Sequence, residues 1–159
     1  MQKITPFLSF PNGDAKEAVS FYVSLLPDSR IDNIFCSPAE TPSGVAGSVL
    51  MVEFTLAGLS YLALNGGPEE PFNRAISFLI HCDDQAEVDR LWAALSAGGE
   101  EIACGWLRDR WGVTWQVTPK RLLELIKDPD PGRAQRAMKA MMTMVKIDIA
   151  AIERAVAGA

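Results

Sequence analysis

The sequence predicts an α+β fold in which a unit of one strand, one helix and about three further strands occurs twice and is followed by a helical tail. Three observations carry this reading. First, the chain superposes on itself at a shift of about 70 residues. That shift pairs Leu8 with Phe78, Phe10 with Ile80, Asp14 with Asp84, Glu17 with Glu87, Phe21 with Leu91, Tyr22 with Trp92 and Leu25 with Leu95. Strand, cap and helix coincide without a gap. Second, residues 104–119 read as two short strands reversed at Arg110-Trp111-Gly112, with Val113, Trp115 and Val117 alternating with Thr114, Gln116 and Thr118. Third, after Pro119 the period of two gives way to helical spacing.

Taken in order, residues 4–10 alternate as a strand, with Ile4, Pro6, Leu8 and Phe10 on one face; Pro6 lacks a backbone donor and suits an edge. Asp14 is placed to cap a helix, with Glu17 positioned for the reciprocal bond. The helix carries Ala18, Phe21, Tyr22 and Leu25 as its buried stripe, and Pro27 ends it. Strands follow over 30–36, 48–55 and 59–64, the last two joined by Ala57-Gly58, with a loop rich in Pro, Ser, Gly and Thr over 37–47. Residues 65–68 break the sheet and open a polar linker to Asn73.

The second unit starts with a strand over 75–82, in which Ile76, Phe78 and Ile80 alternate. Asp83 or Asp84 caps a helix bearing Val88, Leu91, Trp92 and Leu95, and Gly98-Gly99 terminates it. A strand over 100–106 leads into the reversal at 110–112. Tail helices are expected over 120–127, from 130 or 131 to about 145, and from 148 to about 157. The domain reading is therefore a pair of units within 1–119 (about 1–68 and 73–119) and a helical extension of the same domain over 120–159. Met138, Met141, Met142 and Met144, followed by Ile147, Ile149 and Ile152, suit a tail packed on its own sheets or on another subunit.

Bulk properties narrow the function. A net charge of −5 over 159 residues opposes a nucleic-acid partner, which needs a basic face. No apolar run reaches the roughly 18 residues of a membrane span, and no apolar segment with a small-residue cleavage site follows the first residues. Three widely spaced cysteines fit a reducing compartment, so the cytoplasm is the expected location. The neutral polar face of 114–118 reads either as the lining of a cavity or as the wet face of a half-buried strand. Glu53, between Val52 and Phe54, is the best candidate for a general base. Cys104 reads as a small buried hydrophobe or a reactive thiol, and His81 as a surface histidine at a strand end. Arg108, Asp109 and Arg110 read as solvated turn charges.

The phrases Glu17-Ala18-Val19-Ser20-Phe21-Tyr22, Leu64-Asn65-Gly66-Gly67-Pro68, Cys82-Asp83-Asp84 and Asp109-Arg110-Trp111-Gly112-Val113-Thr114-Trp115-Gln116 have a family resemblance, as does Met144-Val145-Lys146-Ile147-Asp148-Ile149 in the tail. They resemble the PhnB-like branch, also labelled 3-demethylubiquinone-9 3-methyltransferase-like, of the vicinal oxygen chelate (glyoxalase/bleomycin resistance) superfamily. The resemblance implies curved mixed sheets and a two-fold homodimer. Enzymes of that superfamily commonly hold a divalent metal with four side chains, on the first and last strand of each unit. By register those positions fall on Thr5, Ala75, Gln116 and Leu62, with Leu64 or Asn65 reached by a slip of the last one. None offers imidazole, thiolate or carboxylate, so no metal is expected. No glycine-rich loop after a strand marks a nucleotide-type site, so no cofactor is expected either.

The resemblance and strand parity together turn Thr5, Phe7, Ser77, Thr114 and Gln116 inward, with Trp106 at the rim. These residues suit a metal-free protein holding a small, partly aromatic molecule between concave sheet faces. The alternatives are an enzyme of the same superfamily (a lyase, a dioxygenase or a methyltransferase) using Glu53 or an undetected metal, and a dimeric scaffold with no ligand.

Overall fold

The computed structural model describes residues 3–42, 44–67 and 70–158; Ser43 in the expected loop and Pro68 at the expected break lie outside them. The chain forms two compact units, Met1–Glu70 and Pro71–Ala159. In the first, β1 (Phe7–Phe10), α1 (Ala15–Leu25), β2 (Arg30–Cys36), β3 (Val49–Leu56) and β4 (Leu59–Asn65) build a four-stranded sheet of order β1-β4-β3-β2. In the second, β5 (Phe78–Cys82), α2 (Gln85–Ser96), β6 (Glu100–Glu101), β7 (Trp106–Arg108) and β8 (Thr114–Pro119) build a sheet of order β5-β8-β7-β6. The first strand of each unit runs parallel to the last, and all other pairings are antiparallel. The α+β reading with a twice-used strand–helix–three-strand unit therefore holds.

Each sheet buries one face under its helix. In the first unit Leu8, Ala63, Val52 and Ile34 stand side by side across the four strands, and the first three are buried with Ala15, Ala18, Val19 and Tyr22 of α1. In the second, Val88, Leu91, Trp92 and Leu95 of α2 are buried, as are Leu107, Trp115 and Val117 of the sheet. In the central strands β3, β4, β7 and β8 the helix-facing residues Val52, Phe54, Tyr61, Ala63, Leu107, Trp115 and Val117 alternate as core positions, as the sequence alternation requires.

The two helix starts differ, and one expectation fails. Asp84 caps α2: its side chain accepts from the Glu87 amide at 2.9 Å, while Glu87 accepts from the Asp83 amide at 2.7 Å. Asp14 makes no such bond. The acceptor at α1 comes from the end of β4 beside Phe10 instead, where the buried Asn65 side chain accepts from the Ala15 amide at 2.8 Å and donates to the Val49 carbonyl at 2.9 Å. One amide bridges helix and strands, a contact 50 residues apart that no local cap signal announces.

Three strand boundaries also move. Both opening strands start late, at Phe7 and Phe78 rather than at 4 and 75. In the second, Asn73 accepts from the Ala75 amide at 2.8 Å and turns the chain, leaving Ile76 75% exposed. The strand expected over 100–106 is instead a hairpin, because Cys104 (φ 62°) and Gly105 (φ 80°) adopt left-handed conformations that reverse it between β6 and β7.

The tail forms α3 (Lys120–Ile126), α4 (Pro131–Met141) and α5 (Ile149–Ala157). Leu122, Leu125, Ala137, Ile147, Ile152 and Val156 make a buried cluster of their own within the second unit. α4 ends four residues before the expected 145. The carbonyls of Met144 and Val145 are used elsewhere, accepting from the Cys104 and Gly105 amides at 2.8 and 2.7 Å. Gln85 fastens the next stretch, donating to the Ile147 carbonyl at 3.0 Å and accepting from the Ile149 amide at 2.9 Å.

Candidate functional site

The face of the first sheet turned away from α1 carries the most suggestive chemistry. Strand pairing sets Phe7, Leu62, Glu53 and Asn33 in one row across it, and Ser60, Thr55 and Arg30 in the next. The pairing slips between Ile31 and Asn33, so Asp32 is an extra residue in β2. Such a bulge puts Asp32 and Asn33 on the same face, although strict alternation would send one of them into the core. The sequence carried the signal: Arg30-Ile31-Asp32-Asn33-Ile34 has two polar residues in succession where one is expected.

A cleft of about 270 Å³ opens on this face, lined by Thr5, Asp32, Glu53, Phe54, Ser60, Tyr61 and Leu62. Asp32 is already compensated, accepting from Arg30 Nε at 2.7 Å and from the Thr55 hydroxyl at 2.6 Å. Glu53 is half-buried, and its carboxylate has no hydrogen-bond or ion-pair partner among the described residues. Phe54 and Tyr61 stack with ring centroids 5.3 Å apart, and burial pushes the Tyr61 phenol above its ordinary value. Both rings lie on the helix-covered side with Val52 and Ala63, so the cleft joins one uncompensated carboxylate, the Thr5 and Ser60 hydroxyls and the Leu62 side chain.

Thr5 and Glu53 meet in this cleft; Phe7 stands in the row beside it, 49% exposed. Ser77, Thr114, Gln116 and Trp106 belong to the second sheet and share its face away from α2. Gln116 donates to the Ser77 hydroxyl at 2.8 Å, and Trp106 is half-buried. Thr114 is 2% exposed, with its hydroxyl toward the Asn73 carbonyl at 3.5 Å.

The reading of Asp109 as a solvated turn charge is overturned. It is 3% exposed and accepts from the Trp111 amide at 2.9 Å, the Val113 amide at 3.0 Å and Trp115 Nε1 at 2.9 Å. An aspartate three residues before a turn glycine is the sequence signal for this role. Its neighbours do stay near the surface: Arg108 pairs with Glu100, and Arg110 lies over the Trp111 ring at 4.3 Å.

A wider depression of about 620 Å³ lies at the starts of α2 and α5, lined among others by Asp83, Asp89, Arg121, Lys146 and Glu153. Its charges satisfy one another: Lys146 pairs with Asp89, Lys120 with Asp83 and Arg121 with Glu153. Hydrogen bonds from Lys146 and Gln85 hold the Asp89 carboxyl below its ordinary range. Burial pushes the Cys82 thiol, wholly inside the second unit, up to about 12.

Against this geometry, a family model described as 3-demethylubiquinone-9 3-methyltransferase matches residues 2–118. The chain belongs to that family. Among solved structures it is similar to a PhnB protein from Bacillus cereus, at 33% identity over 74% of this chain and 99% of that one, with a TM-score of 0.67. A protein from Pseudomonas aeruginosa shares the fold at 24% identity over 75% and 98% of the two chains, with a TM-score of 0.62. No protein of curated function matches. The fold is shared with the Bacillus cereus protein over nearly that protein's whole length. The family match stops at 118, so α3, α4 and α5 lie beyond it, although the motif resemblance had extended into the tail.

The four positions that the motif resemblance assigns to chelation can be tested for their donor set. The register corrects one of them. β1 pairs Leu8 with Ala63 and β5 pairs Phe78 with Trp115, so Gln116 corresponds to Leu64 and not to Leu62. Gly58 and Gly112 are not equivalent, because the first hairpin reverses farther from the shared row than the second. The positions are then Thr5, Ala75, Leu64 and Gln116, of which Ala75 sits in a turn outside the sheet. Two side chains without a donor, one hydroxyl and one neutral amide do not fit a divalent transition metal. Among the described residues no three His, Cys, Asp or Glu side chains converge as ligands elsewhere.

Proposed function

We propose that this member of the family binds a small organic molecule without a metal, in the cleft on the free face of the first sheet. The observation that supports this best is a mismatch: the inherited chelating positions lack donors, while a formed cleft with an unpaired carboxylate lies beside Thr5. Such a site recognises its ligand by shape, hydroxyl groups and one charge rather than by a Lewis acid. Native mass spectrometry of freshly purified protein tests this. A bound small molecule, or one acquired from a metabolite panel, with no stoichiometric metal agrees with it; one tightly held zinc, nickel, manganese or iron per chain contradicts it.

A second reading is favoured by the position of Glu53, whose half-buried carboxylate is free to take a proton from a bound substrate. Activity lost in Glu53→Gln with binding retained would select this reading. The family label alone does not support methyl transfer, because the sequence has no G-x-G-x-x-G loop between a strand and a helix.

We also propose a two-fold homodimer. Trp115 is buried within the chain, but Met138, Met142 and Val145 keep 39%, 57% and 47% of their surface exposed and form an apolar stretch on the tail. No helix of the described residues is long and apolar enough to cross a membrane, so burial in lipid through such a helix is not an alternative. Light scattering at micromolar concentration decides: a dimer mass agrees, a monomer mass contradicts.

A further inference from the structure

We infer that the cleft selects a small ammonium-bearing ligand with an apolar body, an inference that rests on the binding reading above. The cleft contains no lysine, arginine or histidine. Of its two carboxylates, Asp32 already faces Arg30 and Thr55 and contributes little net field, whereas Glu53 has no counter-charge among the described residues. A half-buried anion without a partner attracts a cation and repels carboxylates and phosphates. Thr5 and Ser60 supply hydroxyl acceptors for further N–H groups, and Leu62, with the exposed Phe7 beside it in the row, supplies the wall for an apolar body. At about 270 Å³ the space falls just below the roughly 300 Å³ where drug-sized pockets begin, which favours a compact metabolite.

The corresponding place in the second unit shows why the feature is specific. Phe7 corresponds to Ser77 at the 70-residue shift, so the row Phe7, Leu62, Glu53, Asn33 matches Ser77, Thr114, Arg108, Glu100. The charge there is internally paired, Arg108 with Glu100. Of these two rows, that of the first unit leaves its carboxylate without an ion-pair partner among the described residues.

Three probes of one shape, benzylammonium, benzyl alcohol and benzoate, test this by calorimetric titration of the full-length protein. Benzylammonium should bind roughly 10-fold or more tighter than benzyl alcohol, benzoate should not bind, and Glu53→Gln should remove the preference. Glu100→Gln should leave it unchanged. Equal binding of the alcohol, or preference for benzoate, overturns the ammonium assignment while leaving a binding cleft in place. If all three fail to bind, both this assignment and the underlying reading fall. Should Glu53→Gln not fold, salt dependence of the parent protein decides: benzylammonium affinity should drop as salt rises, and a salt-independent affinity contradicts an ion pair.

Discussion

The two units share strand order, helix position and pairing, yet they use their carboxylates in opposite ways. In the second unit Asp109 is sunk in the sheet and receives three N–H groups, and Glu100 neutralises Arg108. In the first, Asn65 does the buried bridging work with a neutral amide, and Glu53 stands on the free face with no counter-charge among the described residues. The second unit spends its polar groups on holding itself and its tail together; the first leaves one available to a ligand. A duplicated fold permits this division, because one copy of the scaffold can change its face without altering the other.

The tail gives the largest expected effect. Ending the chain after Pro119 removes a cluster of six buried side chains, of which the five larger than alanine are each worth roughly 1.5–3 kcal/mol when fully buried, against a total stability of about 5–15 kcal/mol for a typical domain. The truncated protein should aggregate; a soluble fragment that melts cooperatively would show that the second sheet stands without it. Next is Asp109→Ala, which strands three donors in or near the core and should cost about 3 kcal/mol or more in chemical denaturation. Asn65→Ala, the nearest equivalent in the first unit, should cost only about 1–2 kcal/mol, since one helix amide and one carbonyl lose their partner. Equal losses would erase the contrast between the units.

Much of this was legible in the sequence, and the exceptions share a cause. The doubled unit and β2, Arg30–Cys36, follow from periodicity and local turn chemistry, which neighbouring residues fix among themselves. Asn65 reaching Ala15, and Met144 and Val145 reaching Cys104 and Gly105, depend on residues tens of positions apart, so no window on the sequence contains both partners. Glu53 was identifiable as cavity-facing because it sits between two core residues of one strand. Its companion Asp32 escapes a reading by parity, because a bulge undoes the alternation there, and only the doubled polar pair Asp32-Asn33 signals it.

Alkaline pH offers a smaller test, confined to the second unit. The Cys82 thiol ordinarily titrates near 9.0 and is raised to about 12 by burial, so between those values the folded state holds a proton that the unfolded chain has lost. Its contribution is complete below pH 9, fades as the pH climbs toward 12, and should be absent in Cys82→Ala. Thiol labelling of the native protein near neutral pH should modify the exposed Cys36 and spare Cys82; early labelling of Cys82 would show that the unit opens readily. The smallest effect expected is that of Glu53→Gln on stability, within about 0.5 kcal/mol of the parent, since the carboxylate holds nothing in place. A loss comparable to that of Asp109→Ala would make Glu53 a structural residue.

The division of labour between the units is tested most directly by mapping amide chemical shifts as benzylammonium is added to the full-length protein. The account predicts that the amides of residues 5, 7–9, 32–33, 53–55 and 60–62 move together and saturate, while those of 77–79, 106–108 and 114–118 stay in place. Saturable shifts confined to the second sheet, with the first unmoved, would contradict it.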